Sequence, residues 1–96
     1  MIFEWDHAKN AANIAKHGIG LATASRIFEG LVLTAEDRRR DYGERRWNSI
    51  GCVAGVAILV VTHTDRQGRV RIISARPAKR AERTGYEEAI RPGTEP

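Results

Sequence analysis

The chain has 96 residues, of which 42% are hydrophobic and 29% are charged, and its net charge is +4. This composition is typical of one small globular domain and excludes a disordered chain, because it holds enough apolar side chains to form a core. A single cysteine excludes an internal disulfide bond, and no apolar run reaches the length of about 18 residues that crosses a membrane. We therefore expect a cytoplasmic protein that does not contact a membrane.

The excess positive charge lies in the last third of the chain. Residues 66–83 hold six arginines, one lysine and one glutamate, whereas basic and acidic residues balance before them. A guanidinium holds phosphate through two hydrogen bonds and stacks on bases, which a lysine ammonium cannot do. The segment therefore indicates nucleic-acid binding. A solvated surface and a face for an acidic protein partner are the alternatives that charge alone leaves open.

The first third predicts one short strand and two helices. Residues 2–5 form a short apolar strand at a sheet edge, and Asp6 is the expected N-cap of a helix that ends at Gly18. His17 in its last turn is explained by the favourable interaction of positive charge with the helix C-terminus. The helix carries an apolar stripe formed by Ala8, Ala11, Ala12 and Ala15 with Ile14. Residues 21–29 predict a second helix that ends at Gly30 and buries Leu21, Ala24, Ile27 and Phe28.

The remainder predicts antiparallel strands followed by a helix. Residues 31–34 and 45–53 are strand candidates, and residues 56–64 form the apolar, β-branched run typical of a central strand. Residues 69–76 return as a further strand, and Pro77 suits the start of a helix over residues 78–90. The order predicts an α+β fold with a three- to four-stranded antiparallel sheet. We expect one domain over residues 1–90 and a disordered tail over residues 91–96.

Two tight turns predict which side chains share a face of this sheet. A two-residue turn at Ala54-Gly55 and a four-residue loop over residues 65–68 fix the strand pairing. One face then combines an aromatic ring with arginines and hydroxyls, namely Arg45, Trp47, Thr62, Thr64, Arg69 and Arg71. The opposite face is a predicted core of Ile50, Cys52, Leu59, Val61, Val70 and Ile72. Arg76 is also expected on that opposite face, unless Pro77 re-aims it.

The ring, the guanidiniums and the hydroxyls together suit single-stranded RNA. An indole stacks on a base, arginines hold the flanking phosphates, and threonine hydroxyls bond sugar or phosphate oxygens. The alternative for Trp47 is that it covers the core beneath the last helix.

Several short motifs resemble one family of toxins. They are Phe3-Glu4-Trp5-Asp6, Lys9, Asn13, Lys16-His17-Gly18-Ile19, Glu44-Arg45-Arg46-Trp47, Val60-Val61-Thr62-His63-Thr64, Arg71-Ile72-Ile73-Ser74-Ala75-Arg76 and Tyr86-Glu87-Glu88. Over about residues 2–88 this set resembles the BrnT-type toxins of bacterial type II toxin–antitoxin systems. The loop Asp65-Arg66-Gln67-Gly68 departs from the family's pattern, as does Thr84-Gly85, which interrupts the last helix.

The resemblance implies a RelE-like fold and a ribonuclease that inhibits translation. It implies an RNA substrate and a BrnA-like antitoxin that binds DNA through a ribbon-helix-helix domain. A homodimer and a hetero-oligomer with the antitoxin both stay open. No cofactor is expected, and the three histidines and Cys52 lack the spacing of metal ligands. A non-catalytic nucleic-acid-binding or regulatory module is the alternative function.

Cleaving RNA without a metal ion requires stabilisation of the charge that develops on phosphorus and transfer of a proton to and from oxygen. We assign charge stabilisation to Arg71 and Arg45, supported by Arg69 and Arg76, since one well-placed donor contributes about 3 to 4 kcal/mol. For proton transfer Glu44, Asp65 and His63 stay open, although the face map turns His63 away from the arginines. The cations of the last helix are expected to steer RNA or to bind antitoxin; they are Lys79, Arg80 and Arg83.

Overall fold

A five-stranded mixed sheet forms the centre of the protein, described in a computed structural model over residues 1–91. In chain order the elements are β1 (Phe3–Glu4), α1 (His7–His17), α2 (Leu21–Ala24), a 3₁₀ helix (Ser25–Glu29), β2 (Leu33–Asp37), β3 (Arg46–Val53), β4 (Ala57–Arg66), β5 (Arg69–Pro77) and α3 (Arg80–Ile90). Residues 92–96, which make up most of the predicted tail, lie outside the described part. No helix within residues 1–91 has the length and apolar content needed to cross a bilayer.

The α+β class is confirmed, but the predicted sheet is wrong in strand number and direction. The strand order is β1-β5-β4-β3-β2, and β1 runs parallel to β5 while the other pairs are antiparallel. The N-terminal strand joins the same sheet as the later strands, because α1 and α2 carry the chain across one face between them.

Helix α1 begins and ends where the sequence predicts, but it buries a different side. The Asp6 carboxylate accepts a hydrogen bond from the Lys9 N–H at 3.0 Å, and Gly18 ends the helix with φ 70°. The alanine stripe is exposed, whereas Asn13 is buried. Its amide donates to the Ile19 carbonyl at 2.8 Å and accepts from the Ala75 N–H at 3.1 Å. Because β1 is too short to pair with that part of β5, a polar side chain satisfies the strand edge.

The core lies between the helices and one face of the sheet, which we call the helix face. Leu21, Ala24 and Ile27 are completely buried there, as the second predicted helix requires. The helix face contributes Val53, Leu59, Val61, Ile72 and Ala75. The other side of the sheet, the open face, includes Asn48, Thr62, Thr64, Arg71, Ser74 and Arg76. Helix α3 covers one end of the open face, where the Tyr86 hydroxyl donates to the Leu31 carbonyl at 2.7 Å.

The first hairpin turn is longer than predicted, and this inverts the faces of β3. Val53 pairs with Ala57, so the turn has three residues, with φ 56° at Ala54 and φ 69° at Gly55. A one-residue change of register moves every side chain of a strand to the other face. Trp47 therefore lies opposite His63 on the helix face, and Ile50 and Cys52 of the predicted core move to the open face.

The second hairpin preserves the predicted faces, and a bulge then changes them. Its turn has only two residues, because Arg66 pairs with Arg69, and Thr64 lies opposite Arg71. Further along, His63 pairs with Ile72 but Thr62 pairs with Ser74, so Ile73 is an extra residue in β5. Such a bulge re-aims the side chains that follow it. Arg76 consequently lies on the open face with Arg71, and its predicted position on the opposite face is wrong.

We predict that Gly51→Ala destabilises the fold by about 1 to 3 kcal/mol, because the added methyl group overpacks the core. An added Cβ at Gly51 would lie 2.8 Å from Ile27 Cβ and 2.9 Å from Val32 Cγ1. Gly85→Ala is the matched control, since its Cβ would meet nothing within 4 Å. Alanine in that helix interior should instead stabilise by about 0.5 to 1 kcal/mol. Urea unfolding measures both, and equal stability of Gly51→Ala and wild type would contradict the packing.

Candidate nucleic-acid interface

A basic cleft of about 320 Å³ lies where α1 crosses the edge of β5. Helix α1 contributes Lys9, Asn13, Lys16 and His17, the sheet contributes Thr62, Ser74 and Arg76, and Arg39 follows β2. The helix residues share one side because positions three or four apart are neighbours on an α-helix. Ser74 and Arg76 form the opposite wall of the cleft. They reach the open face because the bulge at Ile73 shifts the alternation of side chains along β5.

The guanidinium of Arg76 is held in place by Glu82 at the start of α3. Its two terminal nitrogens donate to the two carboxylate oxygens at 2.8 and 2.9 Å, and the Lys79 N–H donates to the same carboxylate at 2.8 Å. These hydrogen bonds lower the pKa of Glu82 to about 2, and the bonds from Arg76 have the largest effect. The bidentate geometry presents Arg76 to the cleft in a fixed orientation.

A second ion pair holds Arg39 beside the cleft. Arg39 donates to the two carboxylate oxygens of Asp37 at 2.9 and 2.8 Å, and the Tyr42 hydroxyl donates to the same group at 3.0 Å. Only 1% of the Asp37 side chain is exposed. The hydrogen bonds from Arg39 lower the pKa of Asp37 far below its ordinary range, so this carboxylate stays charged. The polar segment after β2 is thus folded back onto the sheet.

Carboxylates from distant parts of the chain offset much of the predicted basic segment. Glu4 of β1 lies 3.5 Å from Arg69 and 2.9 Å from Arg71, and Glu44 lies 3.4 Å from Arg66. Within residues 1–91, by contrast, Lys9 and Lys16 have no ion-pair partner. The cations with no offsetting carboxylate at the cleft therefore come from α1, which the charge pattern did not single out.

Comparisons with known proteins show the family of this chain. A family model described as "Ribonuclease toxin, BrnT, of type II toxin-antitoxin system" matches residues 5–82. The chain belongs to this family. The resemblance found in the sequence is thereby confirmed, and the matched residues include every side chain of the basic cleft.

A solved structure is similar to this member of the BrnT family. It is the 1.1 Å crystal structure of the Brucella abortus ribonuclease toxin BrnT, with a TM-score of 0.62 and 26% sequence identity. The match covers 83% of this chain and 100% of that one. A comparison with curated proteins finds no match.

Arg45 and Trp47 lie away from Arg71, contrary to the predicted face map, whereas His63 lies away from it as that map predicts. Trp47 stacks on His63 on the helix face, with ring centroids 6.3 Å apart. The Arg45 guanidinium lies 5.3 Å from the Trp47 ring and 3.2 Å from Glu36. Asp65 pairs with Val70, so its exposed side chain also projects from the helix-face side. The longer turn at Ala54 causes the error for Arg45 and Trp47.

His63 belongs to a half-buried hydrogen-bonded chain in this BrnT-family fold. Its Nε2 lies 2.7 Å from Ser49 Oγ, which lies 2.7 Å from Thr34 Oγ1, and Phe28 contacts the ring edge-on. Burial lowers the pKa of His63, which favours the neutral imidazole. Glu44 forms salt bridges to Arg46 and Arg66, and these lower its pKa.

Five predicted residues lie on the open face, and six polar residues of the cleft were missed. Thr62, Thr64, Arg69, Arg71 and Arg76 share the open face, with Thr62 and Arg76 in the cleft. The α3 cations Lys79, Arg80 and Arg83 are exposed outside it. The six that were not predicted as site residues are Lys9, Asn13, Lys16, His17, Arg39 and Ser74. Most of them lie in motifs that carried the family resemblance, which is the signal that could have found them. Within residues 1–91 no group of three His, Cys, Asp or Glu side chains is arranged to hold a metal ion.

We predict that Glu82→Gln destabilises the protein at neutral pH and that this difference shrinks in acid. The pKa of the folded carboxylate is about 2, against an ordinary 4.5. A lowered folded-state pKa contributes stability above 4.5 that is lost as the pH falls toward 2. Urea unfolding at several pH values measures the difference. Glu87→Gln on the same helix, a residue with no ion pair within residues 1–91, is the control, and a pH-independent effect of Glu82→Gln would contradict the ion pair.

Proposed function

We propose that the chain is an endoribonuclease that cuts single-stranded RNA at a phosphate bound in the basic cleft, without a metal ion, and thereby inhibits translation. Membership of a ribonuclease toxin family supports the reaction class. The observation that supports the location is the bulge at Ile73, which sets Ser74 and Arg76 opposite Lys16 and His17.

The cleft offers positive charge where a phosphate gains negative charge during cleavage. Lys9 and Lys16 form no ion pair within residues 1–91, and Glu82 holds Arg76 in a fixed orientation. Donors oriented before the reaction stabilise a transition state more than mobile ones, because no reorganisation is needed. Surface ion pairs contribute about 1 kcal/mol or less, so a phosphate can share the guanidinium that Glu82 holds. We assign charge stabilisation to Lys16 and Arg76.

The rest of the open face suits the flanking RNA. Thr62 and Ser74 have hydroxyls beside the cleft that can bond sugar oxygens. Arg71 and Arg69 lie further along the same face and are placed to hold a neighbouring phosphate. Arg45 and Trp47 on the helix face have no part in this arrangement.

Proton transfer in this proposal falls to His17. Glu44 is held by two salt bridges, whereas Asp65 and His63 project from the helix-face side. His17 lines the cleft with Arg76, and an imidazole both accepts and donates protons near neutral pH. It accepts the 2′-hydroxyl proton as that oxygen attacks phosphorus. The protonated His17 then donates this proton to the 5′-oxygen of the next nucleotide as the P–O5′ bond breaks, so one fragment ends in a 2′,3′-cyclic phosphate and the other in a 5′-hydroxyl.

The proposal includes a BrnA-like ribbon-helix-helix antitoxin, either alone with the toxin or in a larger hetero-oligomer. A type II toxin–antitoxin family implies an antitoxin partner. An acidic antitoxin segment over Lys9, Lys16 and Arg76 would exclude RNA from the cleft. We also propose that the chain has a RelE-like fold and forms a single domain over residues 1–90.

We predict that His17→Gln lowers RNA cleavage about 100-fold or more, the effect expected from loss of a proton-transfer group. His7→Gln is the control, because His7 is exposed at the start of α1 and lies outside the cleft. Cleavage is followed on purified RNA and by growth arrest, with circular dichroism to check folding. Full activity of His17→Gln would remove His17 from the mechanism.

Wild-type cleavage should be unchanged by EDTA, since lysine and arginine supply the charge stabilisation. Inhibition by EDTA that added Mg²⁺ reverses would contradict the metal-independent reaction. Binding of RNA without cleavage or growth arrest would favour a non-catalytic binding module.

We predict that Lys16→Ala weakens RNA binding and lowers the steepness of its salt dependence. Each phosphate contact on a single strand contributes a log–log slope of about −0.7. Arg45→Ala is the comparison, because Arg45 lies on the helix face and should leave the slope unchanged. Fluorescence anisotropy at several salt concentrations measures the slope. A larger change in the slope for Arg45→Ala than for Lys16→Ala would place the RNA on the helix face and would contradict this proposal.

A further inference from the structure

An apolar groove of about 430 Å³ opens on the open face between α3 and strands β2 and β3. Its apolar walls are formed by Leu33, Ala35, Ile50, Val60, Gly85 and Tyr86. Leu33 is 41% exposed, so this apolar surface is left uncovered by the chain itself. Concave, mainly apolar sites with a few polar groups are typical of ligand binding.

Gly85 lines the groove from within α3, which is continuous from Arg80 to Ile90, so the predicted interruption of the last helix at Thr84-Gly85 is wrong. A glycine in a helix interior costs about 1 kcal/mol relative to alanine. An added Cβ at Gly85 would meet nothing within 4 Å, so packing does not require the glycine there. Its effect is to leave the helix backbone bare along the groove, which lets a planar group approach closely.

The apolar groove and the basic cleft share their boundary. Asn48 lines the groove, and Thr62 lines the cleft. The side-chain oxygen of Asn48 accepts a hydrogen bond from the Thr62 hydroxyl at 2.6 Å. Glu82 lines the groove and holds Arg76 in the cleft. Asn48 and Thr62 lie on neighbouring strands, which are about 4.8 Å apart. A ligand with a phosphate in the cleft therefore places its adjoining group at the groove.

We infer that the apolar groove is a nucleobase subsite, which takes one unpaired base of the RNA whose phosphate lies in the basic cleft. This inference rests on the proposed function. The aliphatic walls bury the faces of the base. The Asn48 amide nitrogen, which has no hydrogen-bond partner within residues 1–91, donates to an acceptor on the base edge. Proteins read single-stranded RNA by holding splayed bases in this way.

The first test fills the groove through Gly85→Leu, with Thr84→Leu as the matched control. Thr84 is exposed on the same helix and does not line the groove, so it adds equal bulk elsewhere. Cleaved RNA ends are mapped in cells that produce each variant, after circular dichroism has shown that both fold. Gly85→Leu should cut about 10-fold less, in line with the energy of one held base, and should lose base preference at one position beside the cut. Thr84→Leu should match wild type.

The second test uses wild-type protein and single-stranded RNA with one abasic residue. An abasic residue on one side of the cut should lower cleavage about 10-fold, while one on the other side should have less effect. Wild-type cutting and base preference in Gly85→Leu, or full cleavage of both abasic RNAs, would overturn the inference and leave the proposed function standing.

Two further results distinguish the nucleobase subsite from an antitoxin-binding groove and from failure of the proposed function. If Gly85→Leu cuts as wild type does but escapes the antitoxin, the groove binds a segment of the antitoxin and the nucleobase inference is wrong. If wild type cuts no RNA while it binds RNA normally, the proposed function fails and the inference fails with it.

Discussion

Ile73 is an extra residue in β5, and it determines on which face of the sheet the following side chains of that strand lie. Without it, Ala75 would leave the core and Arg76 would point into it. With it, Ala75 is 1% exposed beneath the helices, while Ser74 and Arg76 reach the open face. Asn13 holds this part of the strand, because its side chain accepts a hydrogen bond from the Ala75 N–H. Core and candidate site therefore depend on one irregularity.

The positive charge that is available for a ligand differs from the positive charge that the sequence displays. Arginines dominate residues 66–83, but tertiary contacts with Glu4, Glu44 and Glu82 offset several of them. These pairs contribute little to stability at the surface, yet they orient the guanidiniums before a ligand arrives. At the basic cleft, Lys9 and Lys16 are the cations that form no ion pair within residues 1–91. The basic cleft thus combines oriented donors from the sheet with lysines from α1.

Local weaknesses in the fold coincide with the open face. Gly85 lowers the helix propensity of α3 and leaves the helix without a side chain where it lines the apolar groove. Leu33 remains exposed beside that groove, at some cost in burial. Natural sequences depart from local stability rules mainly at functional sites, because binding requires surface that folding alone would cover. The basic cleft and the apolar groove meet at Asn48 and Thr62, which makes the two one continuous surface.

The sequence by itself determined the features that depend on neighbouring residues. It predicted the caps at Asp6 and Gly18, the burial of Leu21 and Ile27, the α+β class and the family, since caps, periodicity and motifs are local signals. Only the tertiary structure decided the faces of β3 and β5. Ala54 adopts a positive φ that its residue type does not indicate, and the bulge at Ile73 is held by Asn13 from a distant helix. Register and bulges follow from non-local hydrogen bonds, so the grouping of the candidate site could not be read from spacing along the chain.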